Sequence, residues 1–345
     1  MRIVSIVGTR PQFVKLAPIA WQAEGMCEHL IVNTGQHYDP LLSELFFSEL
    51  NIPNPIENLF SGSGTHSEQT ARMLIGLEKV LEKLKPDRVL VYGDTNTTLA
   101  AALCASKMNI TVGHIEAGLR SFNAKMPEEI NRIISDHISN ILFAPTKNAM
   151  SNLEREGLGA KSILVGDLMF ELLHSFDAKL FTKDKSEKVK RIFCTIHRAE
   201  NTDSPVRLSS IIDSLAKSSI PIDLFAHPRL VARAKEFGID LNQGKIKVND
   251  PVSYLSTVML INKYIGVVTD SGGLQKEAYF LSVPCLTIRE ETEWPETMNN
   301  DWNRLDPYLN HISSNWWETT GAQPIVSEYG EGKTSVKILE TLLKS

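Results

Sequence analysis

Residues 88–120 read RVLVYGDTNTTLAAALCASKMNITVGHIEAGLR. Two short apolar runs, 88–92 and 111–115, flank a helix-compatible stretch at 97–108. A run, a helical segment and a second run of this length predict two parallel strands joined by a helical crossover. The alternation continues outward in both directions. Strands are expected at 2–7, 30–33, 142–144 and 163–165, and beyond them at 192–195, 222–225, 246–248, 266–269 and 285–288. Helices are expected at 69–84, 128–139 and 206–216, with a short amphipathic one at 333–343. The runs are rich in Val and Ile and apolar on both sides, as strands covered on both faces are. The pattern predicts an α/β protein with helices on both faces of parallel sheets.

The chain has 345 residues, enough for two domains. A charged seam at 179–190, KLFTKDKSEKVK, is followed by a fresh strand, RIFCT. We therefore expect two Rossmann-like, doubly wound domains facing across a cleft, with boundaries 1–166 and 167–332 and with residues 333–345 packed back on the first. Lys and Arg total 36 against 41 Asp and Glu, a net charge of −5, and the pI is near 6.0. That balance lacks the basic excess of a nucleic-acid binder. Mean hydropathy is −0.12, no apolar run reaches the roughly 18–20 residues of a membrane span, and Met1 leads directly into a strand without a signal-peptide layout. A cytoplasmic protein is expected. Cys27, Cys104, Cys194 and Cys285 are far apart, without the close pairs of zinc sites, and read as reduced thiols.

Nearly every unusual polar cluster follows an expected strand. Gly8-Thr9-Arg10-Pro11-Gln12-Phe13-Val14-Lys15 follows the first; a glycine before a helix start, with two cations, suits an anion. Asp94 follows 88–92 and reads as a helix N-cap or as a functional carboxylate. Glu116 ends 111–115 beside a glycine. Glu128 and Glu129 open the helix after Pro127, where the positive helix end gives them a structural role too. Three such junctions on one sheet edge would bring acid–base groups together. In the second half His197 and Arg198 follow one strand and His227 another. Ser271-Gly272-Gly273 at a helix start offers backbone N–H groups to a phosphate, and Glu277 could accept from sugar hydroxyls.

Taken in order, GTRPQFVKLAP, TGQHYD, FFSELNIP, YGDTNTTLA, HIEAGLRSF, MPEEINR, IHRAENTD, TDSGGLQKEA, TEWPET and YGEGK run along almost the whole chain. The sequence thereby resembles the non-hydrolysing UDP-N-acetylglucosamine 2-epimerase family, which has the GT-B fold. The resemblance implies that Arg10, Lys15, His197, Arg198, Ser271, Gly272, Gly273 and Glu277 bind the nucleotide. Residues 251–257, including Val252 and Thr257, would lie against the uracil. Asp94, Glu116 and Glu128 fall on the family's essential carboxylates, with His197 beside them in the reaction. Gln36, His37, Arg120, His227, Arg289 and Trp294 are further candidates.

The implied reaction is reversible C2 epimerisation of a UDP-2-acetamido sugar, foremost UDP-GlcNAc to UDP-ManNAc, for surface polysaccharide. UDP is eliminated to a 2-acetamidoglucal and added back, with no cofactor and no metal, in a homodimer without nucleic-acid or membrane partners. Alternatives are a 2-epimerase of a modified sugar such as UDP-2,3-diacetamido-glucuronic acid, a hydrolysing epimerase, and a GT-B glycosyltransferase. A UDP-sugar sensor would need the phosphate site but not three acids. Three departures stand out. Gln12 replaces the glutamate of GTRPE. Trp294 replaces the arginine of TERPE, which removes a bidentate diphosphate partner. Asp39 stands where allosterically regulated members carry Gln.

Overall fold

The computed structural model describes residues 1–36, 46–176, 188–318 and 324–344. His37, Asp39 and positions 179–187 of the charged seam lie outside the described residues. The chain forms two units, Met1–Ser175 with Ser327–Ser345, and Phe176–Val326.

In the first unit the elements are β1 (Arg2–Val7), α1 (Arg10–Ala23), β2 (Glu28–Asn33), β3 (Glu57–Asn58), α2 (His66–Leu84), β4 (Arg88–Tyr92) and α3 (Asn96–Lys107). They continue with β5 (Thr111–Ile115), α4 (Pro127–Ile138), β6 (Ile141–Ala144), α5 (Lys147–Arg155), β7 (Ser162–Leu164) and α6 (Leu168–Ser175). All seven strands are parallel, in the order β3-β2-β1-β4-β5-β6-β7. Val4, Ile6, Val89, Val91 and Val112 pack beneath Met73 and Leu77 of α2 and Ala101 and Ala105 of α3. The small alanines let α3 lie close to the sheet.

The second unit carries β8 (Val189–Thr195), α7 (Ala199–Thr202), α8 (Pro205–Ala216), β9 (Ile222–Phe225), α9 (Pro228–Phe237), β10 (Ile246–Asn249) and α10 (Tyr254–Lys263). After these come β11 (Tyr264–Thr269), α11 (Gly272–Phe280), β12 (Cys285–Thr287) and β13 (Asn303–Leu305). This sheet is also fully parallel, in the order β10-β9-β8-β11-β12-β13. Ile192, Cys194, Leu224 and Val268 pack against Leu208, Ile211 and Leu215 of α8. The last helix, α12 (Thr334–Lys344), belongs to the first unit.

The units divide after Ser175, not at the expected 166, because α6 is held in the first unit. Leu168, Met169, Phe170, Leu172 and Leu173 are buried. Glu171 accepts hydrogen bonds from Ser335 N (2.7 Å) and Ser335 Oγ (2.5 Å) of α12. The return begins at Ser327 rather than 333 because the Tyr329 ring is buried and its carbonyl accepts from Asp167 N at 2.9 Å.

In each sheet the strand order reverses once, between β1 and β4 and between β8 and β11. Ligands of doubly wound sheets bind beyond the carboxyl ends of the strands at such switch points. The residues after β1, β4 and β5 surround the first, and those after β8 and β11 the second. Among the described residues no helix is long and apolar enough to cross a membrane.

Candidate active site

At the first switch point β1 leads through Gly8 and Thr9 into α1. A Cβ on Gly8 would overlap the Thr34 hydroxyl oxygen and lie 2.5 Å from Thr97 Oγ1, so only glycine fits. Gln12 closes this turn. Its Oε1 accepts from Gly8 N (2.8 Å) and Thr9 N (3.1 Å), while its Nε2 donates to the Tyr92 carbonyl (2.8 Å), Thr95 Oγ1 (3.0 Å) and Thr98 Oγ1 (3.1 Å). The loops after β1 and β4 are thus tied by one side chain. Arg10 opens α1 with its guanidinium 5.8 Å from the centre of the Phe46 ring. One turn later Lys15, buried, forms an ion pair with Glu116 from the end of β5.

Glu116 has φ of 70°, a left-handed conformation that L side chains rarely adopt. It costs on the order of 1–2 kcal/mol for a non-glycine residue, and such strain concentrates at functional sites. Gly93 has φ of 66°, and a Cβ there would meet Lys15 Nζ at 3.1 Å and Glu116 Oε2 at 3.2 Å. The backbone before Asp94 therefore lies directly against the Lys15–Glu116 pair.

The N-cap of α3 is Thr95, whose hydroxyl accepts from Thr98 N at 3.4 Å. The Asp94 side chain, not used as the cap, accepts from Arg132 Nε (3.0 Å) and Nη2 (2.7 Å). Arg132 also donates to Glu129 at 2.5 Å. Glu129 in turn accepts from the backbone N–H groups of Ser121 and Phe122, both at 2.9 Å. The two acids after Pro127 thus diverge. Glu129 is buried and holds the 121–122 turn, whereas Glu128 is half-buried on the first turn of α4, one turn from Arg132. Glu129, Arg132 and Gln12 carry structural roles that the sequence motifs alone do not distinguish from substrate contacts.

Two further candidates are engaged within this unit. Gln36 Oε1 accepts from Thr97 N and Thr97 Oγ1, both at 2.9 Å. Arg120 is buried in ion pairs with Glu156 (2.7 Å) and Asp136 (2.8 Å).

At the second switch point Asp270, fully buried after β11, organises the backbone. It accepts from His197 N (3.1 Å), Arg198 N (2.9 Å) and Asn201 Nδ2 (3.1 Å), and His197 Nδ1 lies 3.1 Å from Oδ1. Burial pushes this carboxyl up, but the His197 charge and the hydrogen bonds outweigh it and lower the pKa to about 2. The His197 side chain remains 40% exposed. The His227 ring centre is 5.8 Å from that of His197, and its Nδ1 caps α9 by accepting from Arg229 N at 3.2 Å. The Arg198 side chain is 4.0 Å from Glu200.

Ser271 caps α11, accepting from Leu274 N at 3.3 Å. Gly272 and Gly273 are the first two residues of that helix, where backbone N–H groups lack intrahelical partners and suit an anion. A Cβ on Gly272 would lie 2.5 Å from Glu293 Oε1, and Glu293 is ion-paired with buried Arg289 at 2.8 Å. Glu277 is buried on the same helix. Trp294 is buried with Lys276 Nζ 3.6 Å from its ring centre, so the indole packs under α11 in a cation–π contact. Val252 is partly exposed, and Thr257 Oγ1 donates to the Ser253 carbonyl at 2.9 Å. Among the described residues no cluster of His, Cys, Asp or Glu has the arrangement of a metal site.

Comparison with known proteins gives this arrangement a family. A family model described as UDP-N-acetylglucosamine 2-epimerase matches residues 20–343. A Methanococcus maripaludis UDP-N-acetylglucosamine 2-epimerase homolog is 46% identical, covering 99% of this chain and 99% of its own. The UDP-2,3-diacetamido-2,3-dideoxy-D-glucuronate 2-epimerase of Pseudomonas aeruginosa is 43% identical, with both chains covered in full. The crystal structure of Methanocaldococcus jannaschii UDP-GlcNAc 2-epimerase in complex with UDP-GlcNAc and UDP has a TM-score of 0.88 and 40% identity, again over both whole chains. With two parallel sheets of matching class and full-length likeness, this chain belongs to the UDP-N-acetylglucosamine 2-epimerase family of isomerases.

Proposed function

We propose that the protein catalyses reversible C2 epimerisation of a UDP-2-acetamido sugar, with UDP-GlcNAc and UDP-ManNAc as the pair. The observation that carries this reading is the placement of Asp94 and Glu116 after adjacent parallel strands, each held against a cation. The proton on C2 is barely acidic while no carbonyl adjoins it. Breaking the C1–O bond to UDP first builds positive charge at C1, and that charge acidifies C2–H. A carboxylate then takes the proton, leaving a 2-acetamidoglucal and UDP. Return of the proton to the other face and re-addition of UDP at C1 complete the exchange. Asp94, Glu116 and Glu128 are the acid–base candidates, with His197 assisting.

The leaving diphosphate is assigned to the N–H groups of Gly272 and Gly273, with Ser271, His197, Arg198, Arg10 and Lys15. These groups stabilise charge that grows as C1–O breaks, and they keep UDP close for re-addition. Val252 and Thr257 are assigned to the uracil and Glu277 to the ribose. The reading includes action in the cytoplasm, without nucleic-acid partners, as a homodimer. Support for the dimer comes from Ile130, Ile133 and Ile134, exposed together on α4.

The test is incubation with UDP-GlcNAc in D₂O, followed by NMR. Deuterium enters C2 and UDP-ManNAc forms; an unchanged C2 proton would refute the reading. A second substrate is favoured by the Pseudomonas aeruginosa relative and by Trp294, which packs on Lys276 where the resemblance places an arginine. UDP-2,3-diacetamido-glucuronic acid should be compared by kcat/KM. A preference above about tenfold for UDP-GlcNAc, roughly 1.4 kcal/mol, eliminates the modified sugar as the principal substrate.

A further inference from the structure

We infer that His114 is a positioning residue, a buried imidazole that bridges the loops bearing Asp94 and Glu116 and holds them at a fixed spacing. The side chain is fully buried on β5. Its Nδ1 lies 2.7 Å from Asp136 Oδ1, and its Nε2 lies 2.7 Å from the Gly93 carbonyl oxygen. A carboxylate oxygen and a carbonyl oxygen both only accept. Each ring nitrogen therefore sits at hydrogen-bond distance from an acceptor, one on α4 and one in the loop after β4.

Burial pushes Asp136 up, but the charges of His114 and Arg120 and their hydrogen bonds hold it below its ordinary value. Asp136 Oδ2 accepts from Gly118 N at 3.1 Å and pairs with Arg120 at 2.8 Å. Arg120 continues to Glu156 at 2.7 Å, and Lys161 Nζ donates to the Asp136 carbonyl at 2.9 Å. The Asp136 carboxylate is thereby fixed between the His114 ring, the Arg120 guanidinium and the Gly118 N–H.

The chain Gly93 O, His114, Asp136, Gly118 N spans both loops. Gly93 immediately precedes Asp94, and Glu116 lies between His114 and Gly118. Both ends are left-handed, Gly93 at φ 66° and Gly118 at φ 83°, as is Glu116 at 70°. A Cβ on Gly118 would overlap the Ala149 carbonyl oxygen, so the loop has little room to relax. Strained backbone of this kind keeps its shape only where surrounding bonds determine it, and a displacement of about 1 Å can cost on the order of 10²-fold in rate.

The inference rests on the reading of Asp94 and Glu116 as acid–base groups, and the experiment separates the two. His114→Gln, whose side-chain amide can still donate to the Gly93 carbonyl, should keep more of the wild-type kcat than His114→Phe; equal losses in the two variants overturn the proposal. In His114→Asn and His114→Phe, kcat per UDP-binding site, counted by calorimetry with UDP, should fall at least about tenfold, while KM and the UDP Kd stay within about twofold. Wild-type kcat, or UDP affinity falling in parallel with kcat, overturns it. A wild-type chain that leaves C2–H untouched counts against the proposed reaction, and the bridge is then read from the stability of His114→Phe, which should be lower than that of His114→Gln; equal stability overturns it.

Discussion

The two sheets share one strand order around their switch points, yet the points are furnished differently. After β1, β4 and β5 the groups are charged side chains in pairs: Lys15 with Glu116, and Asp94 with Arg132 and Glu129. After β8 and β11 the donors are backbone N–H groups. Those of His197 and Arg198 are taken by Asp270, and those of Gly272 and Gly273 open α11. Side-chain carboxylates can exchange protons, whereas backbone amides can only bind charge. The same topology therefore presents paired charged side chains in one unit and mainly backbone donors in the other, and fold alone does not reveal what each serves.

The largest expected effect tests the chemical half of that contrast. Asp94→Asn and Glu116→Gln should each lower turnover at least about 10²-fold, measured by NMR with UDP-GlcNAc, with UDP affinity by calorimetry nearly unchanged. Equal losses in affinity would mean that the two carboxylates serve binding rather than the chemical step.

Next in size is the loss of the charge at Asp270. Its folded pKa of about 2 lies below the ordinary 3.8. The carboxylate therefore contributes stability that is fully present above about pH 4 and is lost as pH falls through about 2. Asp270→Asn should lower stability near neutral pH by about 2 kcal/mol and flatten the decline between those values. Urea denaturation followed at several pH values measures both; an unchanged acid profile would remove Asp270 as the organiser of the second switch point.

The smallest effect concerns the helix start. Gly272→Ala places a methyl group against Glu293, which is held by Arg289. UDP affinity should fall about tenfold, roughly 1.4 kcal/mol, with C2 exchange at saturating substrate little changed. Unaltered affinity in calorimetry would move the diphosphate away from α11.

Much of this is legible in the chain. β4 and β5 are readable because short runs with buried aliphatic residues end at residues that turn the backbone, Gly93 in one case and Glu116-Ala117-Gly118 in the other. β3 and β13 are not readable. They have two and three residues, lack an apolar run, and exist because a neighbouring strand offers an edge. The carboxylates are recognisable by position, but their partners are not, since Arg132 reaches Asp94 across 38 residues of sequence. Gln12 shows the same limit. Only the fold reveals that its amide nitrogen must donate to the Tyr92 carbonyl, against which a glutamate would place an oxygen.

The division of the chain has a consequence for its synthesis. The first unit begins at Met1 but includes α12, which packs on α1 and α6 and buries Ile338, Leu339 and Leu342. The whole second unit lies between these two parts of the first. Emerging from the ribosome, the second unit has all its strands while the first still lacks its closing helix. In sequence order the second unit is therefore complete before the first, unlike the usual case in which the N-terminal domain is finished first. Until translation reaches α12, the surface of α1 and α6 that this helix covers stays open to chaperones and proteases.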